Sequence, residues 1–521
     1  MKENDMKEEL ERCEAEEFTE RMVAMYKENG EEKYLSLTDQ VHLLIPHKYT
    51  NILPDKNVVD QMLAVTRLPQ VYTVVGLPDI HLGYAFPIGS VVGAGIVVPE
   101  GVGSDINCGV RMVRTRTNCR NVDIAEVARQ LFDVIPSGIG ADTANATVSE
   151  IAEQLNKNVA DTSNKEMVFT DLKVINEICN EGIDFLVKYG IVGDERDRIE
   201  KGGRFPGDSR MLSQKAKAKG LKQLGSLGAG NHFLELQRVV EVHDNDAGFE
   251  IDELVFMIHT GSRGLGFEVC ESASQVATSM RSISKSEIGD ESHEIRQVKQ
   301  AMGLYENDET TVSSVNSSQL GSFENLSYFE IHESEDYILE MGCAANFAFC
   351  NRAIISKKVE NVLKNWNIKC ELVYDVGHNS LHKENIDGKE LFVHRKGAAR
   401  ALPPNHPELR SNRENGQPIP IGGSMGTSSY LLYAQDTKKS LFSSPHGAGR
   451  RISRSKARKL ITMEQLKQMM GNTVLMSKSE KGAIEEAPIV YKDIEDVVNA
   501  AVELGLVKKV VKLEPLAVIK G

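Results

Sequence analysis

Two hydrophobic patterns alternate along the chain. Short, continuous apolar runs bounded by Gly and Pro predict β-strands at three places: 71–75, 91–98 and 254–258. Apolar residues at helical spacing predict helices at three others: 124–134, 171–189 and 337–362. The C-terminal part predicts a helix over 493–504 followed by two strands. Strand and helix signals therefore interleave over most of the chain.

The interleaved signals indicate the fold class. Because neither helices nor strands are confined to one part of the chain, the pattern predicts an α/β protein of mixed α+β content. The 521 residues contain no internal repeat, and no change of composition divides residues 55–521, so we predict one large domain there. A Ser-, Glu- and Asp-rich stretch around 270–328 predicts a polar insertion into that domain, and the Ser-rich 313–318 within it predicts a flexible segment.

Charge is unevenly distributed along the chain. With 61 Lys and Arg against 75 Asp and Glu, the net charge is −14, which excludes a globally basic nucleic-acid-binding protein. Residues 1–32 hold 12 of the acidic side chains and only 5 of the basic ones. This composition predicts a solvated, helical acidic extension within residues 1–54, before the main domain.

The cysteines and apolar segments bear on the cellular compartment. The eight cysteines are scattered without a Cys-x-x-Cys pair, a pattern typical of reduced thiols. The N-terminal segment lacks the basic and apolar regions of a secretory signal, and no apolar run reaches 18 residues. We therefore expect an intracellular, cytoplasmic protein, or a nuclear one in a eukaryote, that contacts no membrane.

Asp105 and Cys108 are the first candidate metal ligands. They are three residues apart in a Gly-flanked segment, so both side chains can reach one ion from a turn. A thiolate beside a carboxylate suits a borderline ion such as Mn²⁺ or Zn²⁺, and a sulfur atom can bridge two ions. A buried thiol beside a turn aspartate is the alternative that this segment alone leaves open.

Three histidines stand at similar positions next to Gly-containing loops. His232 follows a Gly-rich turn, His259 ends an apolar run that precedes Gly-Ser-Arg263, and His378 lies in a Gly-His-Asn sequence after another apolar run. Site residues are common at such strand–loop junctions. The three segments are far apart in sequence, so spacing alone predicts neither their convergence nor their separation.

His446 is a candidate nucleophile. It is followed by Gly-Ala-Gly, which lets a ligand approach the backbone closely, and residues 446–460 contain six Lys or Arg and no acid. The alternative is a solvated basic helix.

The small residues of the 422–429 loop suit a nucleotide, and Asp79 with His81 forms a further acid–base pair. Walker A, Rossmann and kinase signatures are missing from the sequence.

Taken in order, these segments resemble one family, the RtcB-type RNA ligases, also called tRNA-splicing ligases. Ten stretches from about residue 55 to the C-terminus carry the resemblance: GLPDIHLGYAFPIG, GVGSDINCGVR, QLGSLGAGNHFLELQ, FMIHTGSRGLG, AANFAFCNR, YDVGHNSLHKE, VHRKGAARALPP, GQPIPIGGSMGTSSY, HGAGRRISRSKA and LAVIKG. The sequence departs from the family at Ser104 and Pro445, neither of which is an implied ligand or nucleophile.

The resemblance implies a single-domain fold and a specific reaction. RNA ends that carry a 3′-phosphate or 2′,3′-cyclic phosphate would be joined to 5′-hydroxyl ends, in tRNA splicing or RNA repair. GTP would supply the energy through a GMP-histidine intermediate and an RNA-3′-pp-5′-G intermediate, with two Mn²⁺ ions bound. The implied partner is RNA, either tRNA halves or another cleaved RNA, and an activating protein partner or ligase complex is compatible with this picture.

The resemblance also implies roles for individual residues. Asp105, Cys108 and His232 would hold one metal ion. Cys108, His259 and His378 would hold the other. His446 would accept GMP, and Asp79 would pair with the attacking 5′-hydroxyl. The residues implied to contact the nucleotide are Asn231, His232, Phe233, Leu234, Glu235, His378, Asn379, Gly422, Gly423, Ser424, Met425, Ser429, His446, Gly447, Ala448, Gly449, Tyr491 and Lys520.

RNA phosphates would be bound by Arg263 and by two basic segments, 394–400 and 450–459, because local rather than total charge governs such contacts. The main alternative function is a two-metal phosphoesterase that acts on RNA ends with the same ligands. A third is an inactive RNA-binding scaffold, which is expected to have lost ligands that this sequence retains.

Overall fold

Two large β-sheets form the centre of the computed structural model, which describes residues 3–28, 30, 33–138, 140–160, 168–280, 292–304 and 326–521. Within these residues the larger sheet has seven strands in the order Glu371–Gly377, Gly109–Asn118, Glu253–Thr260, Phe233–Val242, Val507–Lys520, Ser429–Ala434 and Pro418–Ile421. Neighbours in this order are antiparallel, and an eighth strand, Val474–Ser477, pairs in parallel with Val507–Lys520.

The second sheet has six strands in the described part of the chain. Their order is Leu35–Ser36, Val41–Leu43, Val71–His81, Ile88–Ala94, Lys389–Lys396 and Asn379–Ile386. Two short pairs complete the strands: Ala398–Arg400 with Ser443–Pro445, and Ile96–Val97 with Phe329–Glu330. The strands predicted at 71–75 and 254–258 are confirmed, whereas the one predicted at 91–98 is divided at Gly95 between Ile88–Ala94 and Ile96–Val97.

Helices pack around both sheets. Their bounds are Glu3–Glu28, Lys56–Val65, Pro99–Val102, Ile124–Val134, Ala146–Ala160, Asp171–Glu181, Ile183–Lys188, Gln214–Gln223, Arg263–Met280, His293–Ala301, Glu335–Lys364, Arg454–Leu460, Met463–Met470, Glu480–Glu485 and Ile494–Glu503. The mixed α/β class and the single large domain predicted from the interleaved signals are confirmed.

The longest helix of the described residues, Glu335–Lys364, runs through the core. It packs against Asp171–Glu181 and Arg263–Met280, and most of its side chains are buried. By length and composition it is the one described helix that could cross a membrane, but 83% of its most apolar 18-residue window is buried inside the protein. Such burial is typical of a core helix in a protein of this size.

The N-terminal acidic segment differs from the solvated extension that its composition predicts. It forms the helix Glu3–Glu28, and Phe18, Met22 and Tyr26 are buried in a hydrophobic cluster that includes Met62. The hydroxyl of Tyr26 donates a hydrogen bond to the carbonyl of Ile45 at 2.5 Å. The three residues are spaced by four, so they share one face of the helix although acidic residues surround them.

Three further expectations need correction. The predicted helix 171–189 is divided at Gly182, whose φ of 57° breaks the helix and whose added Cβ would lie 2.4 Å from a backbone oxygen. The two predicted C-terminal strands are one strand, Val507–Lys520, with two register shifts that bend it without ending it.

The predicted polar insertion is also more ordered than its composition suggests. Its first residues continue the helix Arg263–Met280, in which Ala273 and Ala277 are buried. The helix His293–Ala301 buries Ile295 and Val298 against the N-terminal cluster. The remainder, including the Ser-rich 313–318, lies outside the described residues. Apolar positions at helical spacing therefore bring parts of this polar stretch into the core.

Candidate active site and metal centre

Four neighbouring strands of the larger sheet bring the predicted metal ligands together. Cys108 and His232 directly precede strands, His259 is the penultimate residue of one, and His378 directly follows another. The four strands are antiparallel neighbours. The first residues of two of them and the last residues of the other two therefore lie side by side at the same end of the sheet. The ladder pairs His259 with both Val110 and Phe233, which fixes the position of the imidazole between its neighbours.

The five predicted ligands form two overlapping groups. Sγ of Cys108 lies 3.3 Å from Nε2 of His232 and 3.2 Å from Nε2 of His259. Nε2 of His259 lies 3.2 Å from Nε2 of His378, and Nε2 of His232 lies 2.8 Å from Oδ2 of Asp105. Within each group all donor atoms lie within 4.8 Å of one another, and Cys108 belongs to both groups.

Hydrogen bonds to the backbone orient two of these histidines. Nδ1 of His232 lies 2.9 Å from the carbonyl oxygen of Leu227, and Nδ1 of His259 lies 2.9 Å from that of Asn231. A carbonyl only accepts, so each Nδ1 carries a proton, and Nε2 is the ring nitrogen that faces the cluster and is placed to bind a metal ion. Metal-binding histidines are usually held in this way. The donor set therefore fits two cations that share the Cys108 sulfur.

Burial and charge set the protonation of the cluster before a metal binds. Burial, together with the neighbouring histidines, holds the pKa of His259 and His378 well below 6.5, so both rings are neutral. Burial raises the pKa of the Cys108 thiol well above 9.0, and the Asp105 charge raises it further. Although burial acts in the opposite direction, the charge and hydrogen bond of His232 lower the pKa of Asp105 to about 2.

A fully buried ion pair supports the metal ligands from behind. Arg352, on the long core helix, lies 2.8 Å from Asp375 through Nε and Oδ1, and both side chains are completely buried. The same guanidinium donates to the carbonyl of Asn107 at 2.7 Å and to that of Thr260 at 3.0 Å. These residues adjoin Cys108 and His259. Sequence reasoning missed this anchor, although an arginine within an apolar helix pattern is a signal for it.

His446 and Asp79 form the second part of the site. Nδ1 of His446 lies 2.7 Å from Oδ2 of Asp79, which also accepts the backbone N–H of His446 at 3.0 Å. Asp79 is completely buried, and because a carboxylate only accepts, Nδ1 of His446 carries the proton of this hydrogen bond and Nε2 is the nitrogen not held by Asp79. The rings of His446 and His378 have centroids 4.7 Å apart. Asp79 therefore orients His446 from a buried position, and its predicted pairing with a 5′-hydroxyl stays a prediction.

A cavity of about 1860 Å³ opens in front of His446. Thirteen of the residues predicted to contact a nucleotide line it: Asn231, Phe233, Glu235, Gly422, Gly423, Ser424, Met425, His446, Gly447, Ala448, Gly449, Tyr491 and Lys520. The strand-like pairing of Gly422 with Gly447 brings the 422–429 loop beside the His446 loop. Residues from distant parts of the chain thus meet around one space large enough for a nucleotide.

The other predicted nucleotide contacts lie behind the cavity wall. Leu234 is completely buried in the main hydrophobic core, while His232 and His378 belong to the metal cluster. Oγ of Ser429 accepts the backbone N–H of Gly423 at 3.2 Å and thereby shapes the 422–429 loop. The side chain of Asn379 donates to the carbonyl of Asp105 at 3.0 Å and supports the metal-binding loop. Direct nucleotide contact by these residues stays a prediction.

Lys520 reaches the cavity from the penultimate position of the chain. Its side chain is 2% exposed, beside the buried carboxylates of Glu235 and Glu486. Burial lowers the pKa of Lys520, whereas the two carboxylates raise it. Glu486 is also held by Arg450 at 3.1 Å and by Arg454 at 3.2 Å. Glu486 could not be predicted from the sequence, because its ion pairs join separate segments.

The two predicted RNA-binding basic segments differ in accessibility. Arg450, Arg454 and Arg458 line the cavity, as the prediction requires. The prediction for 394–400 is wrong, because Arg395 and Arg400 are buried and both pair with Glu384, at 3.1 and 2.8 Å. Arg395 lies in a strand of the six-stranded sheet, and Arg400 ends the short strand Ala398–Arg400. The carboxylates of Glu384 and Glu408 compensate their charge.

Comparison with known proteins agrees with this geometry. A sequence model of the family described as tRNA-splicing ligase RtcB matches residues 61–521. The RNA-splicing ligase RtcB homolog 1 of Entamoeba histolytica is 37% identical over 494 residues, which are 89% of this chain and 83% of that protein. The tRNA-splicing ligases RtcB of Methanococcus maripaludis and Archaeoglobus fulgidus are 34% and 35% identical, over 89% and 92% of this chain and 92% and 94% of their own lengths.

The matched region contains every predicted metal ligand, His446 and the whole of the larger sheet. It starts within the helix Lys56–Val65, so the acidic N-terminal helix lies outside it. The boundary at residue 55 stays a prediction. Because the family model covers most of the chain and several relatives exceed 30% identity over most of both lengths, the chain belongs to the tRNA-splicing ligase RtcB family of RNA ligases.

Proposed function

We propose that this protein joins an RNA 3′-phosphate or 2′,3′-cyclic phosphate end to a 5′-hydroxyl end, using GTP and two Mn²⁺ ions. Its relatives are named as RNA-splicing or tRNA-splicing ligases, and tRNA halves are accordingly the first substrates to test. The observation that carries the proposal is the orientation of His446. Asp79 binds its Nδ1, which leaves Nε2 as the ring nitrogen that can act as a nucleophile at the cavity.

The donor set favours Mn²⁺ over Mg²⁺. Mg²⁺ prefers oxygen ligands, whereas this site offers one carboxylate, one sulfur and three imidazoles. Asp105, Cys108 and His232 would hold one ion, and Cys108, His259 and His378 the other. Two bound cations would neutralise phosphate charge and favour both attack and departure of phosphate oxygens.

His446 begins the proposed reaction. Its Nε2 attacks the α-phosphorus of GTP, an N–P bond forms, and the bond to the β-phosphate oxygen breaks with release of pyrophosphate. The ring becomes positively charged in this step, and the buried Asp79 carboxylate stabilises that charge through Nδ1. Lys520 and the arginines that line the cavity supply positive charge for the triphosphate.

Two further transfers complete the ligation. A 2′,3′-cyclic phosphate is first hydrolysed by water, which breaks the bond to the 2′-oxygen and leaves a 3′-phosphate. An oxygen of the RNA 3′-phosphate then takes GMP from His446, the N–P bond breaks, and an RNA-3′-pp-5′-G anhydride forms. The 5′-hydroxyl of the second RNA then attacks the phosphorus attached to the 3′-oxygen, and GMP leaves. A 3′-phosphate alone has no comparable leaving group, which explains why the proposal requires a nucleotide.

The test is covalent labelling with [α-³²P]GTP and MnCl₂, followed by denaturing electrophoresis. We expect an acid-labile, alkali-stable GMP adduct in the wild type and none in His446→Ala. His243→Ala, which alters a histidine at the end of a strand outside the cavity lining, should label like the wild type. Continued labelling of His446→Ala would overturn the assignment of the nucleophile.

A two-metal phosphoesterase is the competing function, because the same ligands could activate water. It needs neither an oriented histidine nucleophile nor a nucleotide loop, so it forms no adduct and releases phosphate from RNA ends without GTP. A nicked RNA with 3′-phosphate and 5′-hydroxyl termini separates the two functions. We expect GTP-dependent joining by the purified chain, or by the chain with an added protein partner.

A further inference from the structure

Lys492 is a buried lysine at the wall of the cavity, next to the His446 loop. Its side chain is 7% exposed, and Nζ donates to three backbone carbonyls: Ile52 at 2.7 Å, Pro78 at 3.3 Å and Ile80 at 2.5 Å. An ammonium group has three N–H donors, so these three carbonyls account for all of them. The side chain is therefore fully engaged with the backbone before any substrate binds.

Two of these carbonyls flank Asp79. Pro78 and Ile80 are its neighbours in the strand Val71–His81, so the ammonium holds the backbone on both sides of the aspartate. The Asp79 carboxylate lies in the same buried region, and its charge raises the pKa of Lys492. Oδ1 of Asp79 has no hydrogen-bond partner among the described residues, so few contacts other than those to His446 hold the carboxylate.

The backbone of Lys492 holds the other half of the pair. Its N–H donates to the carbonyl of Gly449 at 2.9 Å, in the loop that follows His446. At Gly449, an added Cβ would lie 2.2 Å from the carbonyl oxygen of Asp79. The two segments therefore touch directly, and Lys492 is bonded to both of them.

We propose that Lys492 is a positioning residue that holds Asp79 and the His446 loop in register, so that Nε2 of His446 faces the nucleotide. This inference rests on the proposed function of His446. Burial lowers the pKa of Lys492 to about 7, and the charges that surround it are those of Asp79, Asp55 and Arg451. A lysine so costly to bury is retained where its three hydrogen bonds are needed.

Lys492→Met tests the proposal, because methionine keeps a similar length and removes all three donors. The initial rate of GMP-adduct formation should fall by about 100-fold, the usual effect of misplacing a reacting group by roughly 1 Å. The GTP concentration at half-maximal rate should stay unchanged. In the wild type the three N–H donors of Lys492 are all bonded to backbone carbonyls, so none is left to bind the nucleotide. Lys217→Met, a buried lysine outside the cavity lining, is the matched control and should behave like the wild type.

A second measurement reads His446 without any nucleotide. In ¹⁵N spectra of the histidine rings, with the His446 signals assigned through His446→Gln, the wild type should show His446 protonated at Nδ1 only. Lys492→Met should show a mixture of the two tautomers. A purely structural role for Lys492 would lower the thermal midpoint and leave the tautomer of the folded fraction unchanged. If Lys492→Met does not fold, Lys492→Arg replaces it, since it keeps the charge but cannot place three donors at the same carbonyls.

The outcomes separate this inference from the proposed function. A slower rate at unchanged half-saturation, with mixed His446 tautomers, supports positioning by Lys492. Wild-type labelling by the folded variant, or a rate loss that arises only from weaker GTP binding, overturns it. If the wild type itself forms no adduct, the proposed function fails, and the His446 spectra alone decide whether Lys492 holds the pair.

Discussion

Oδ2 of Asp79 accepts two hydrogen bonds from His446, one from the backbone N–H at 3.0 Å and one from Nδ1 at 2.7 Å. The first fixes the position of the loop and the second fixes the tautomer of the ring. Because Asp79 is completely buried, the two hydrogen bonds form away from bulk water, where they are stronger. Asp79 thus determines which ring nitrogen of His446 is the nucleophile, and it does so without needing to contact a substrate.

Asp79→Asn should show whether the contact with His446 requires the charge of Asp79 or only a side chain of its size. The amide has nearly the same size but cannot stabilise a positively charged ring, and its NH₂ group favours the wrong tautomer of His446. We expect the rate of GMP-adduct formation to fall by roughly two to four orders of magnitude, with metal content unchanged. Stopped-time labelling and elemental analysis measure the two quantities. A variant that labels at the wild-type rate would show that the Asp79 charge is not required.

The candidate ligands could be recognised from sequence, but their convergence could not. Each lies next to Gly beside an apolar run, which is the local signature of a strand–loop junction. Whether such junctions meet depends on the order of strands, and here four adjacent strands come from widely separated parts of the chain: Glu371–Gly377, Gly109–Asn118, Glu253–Thr260 and Phe233–Val242. No local pattern in the sequence encodes the order of the strands. The convergence of the ligands was therefore predicted only from the family resemblance.

Metal binding should release a proton from Cys108. Its thiol pKa is raised well above 9.0 by burial and by Asp105, whereas His259 and His378 are already neutral because their pKa values lie well below 6.5. A metal ion binds the thiolate, so apparent Mn²⁺ affinity should rise about tenfold per pH unit between roughly pH 7 and 8, below the pKa of the thiol. Calorimetry in buffers of different ionisation enthalpy measures the released proton.

Cys108→Ala provides the corresponding variant. Because Cys108 belongs to both ligand groups, its loss should remove both ions and the GMP adduct together. Cys370→Ala, a partly exposed cysteine that belongs to neither group, is the control and should keep both ions. Two tightly bound ions in Cys108→Ala, or binding without proton release in the wild type, would contradict a bridging thiolate.

Lys520 tests the role of the C-terminal strand. A lysine next to the chain end is ordinarily solvated, but this one is 2% exposed, between Glu235 and Glu486. Lys520→Met should lower the labelling rate at subsaturating GTP by one to two orders of magnitude, which corresponds to about 1.5–3 kcal/mol for a charge-assisted hydrogen bond. Lys481→Met, an exposed lysine, is the control. Equal rates for Lys520→Met and wild type would exclude a contact between Lys520 and the nucleotide.

The structural features that could not be predicted from the sequence depend mostly on packing between distant segments of the chain. The apolar face of the N-terminal helix was hidden because Phe18, Met22 and Tyr26 stand among many acids, although their spacing by four was visible. Lys492 and Arg352 were hidden for a different reason. The apolar helix pattern around Arg352 indicates that it is buried, but the partners of both cations are backbone carbonyls or carboxylates from distant segments, which the sequence does not identify.

Arg352→Met should destabilise the protein and its metal site together. The variant leaves the carboxylate of Asp375 buried without its closest partner and frees the backbone next to Cys108 and His259. Breaking a buried ion pair costs about 3–5 kcal/mol, so the midpoint of urea unfolding should fall markedly and Mn²⁺ affinity should fall with it. Arg129→Met provides the matched comparison, because its side chain is 57% exposed.

An exposed ion pair contributes about 0–1 kcal/mol, so Arg129→Met should shift the urea midpoint little and leave metal binding unchanged. The double variant Arg352→Met with Asp375→Asn should recover part of the lost stability, because the buried carboxylate, which then has only Arg111 at 3.3 Å as its cationic partner, is removed. It should not recover Mn²⁺ affinity, since the carbonyls of Asn107 and Thr260 still lack their donor. If Arg352→Met and Arg129→Met unfold at the same urea concentration, Arg352 is not the anchor that the buried contacts indicate.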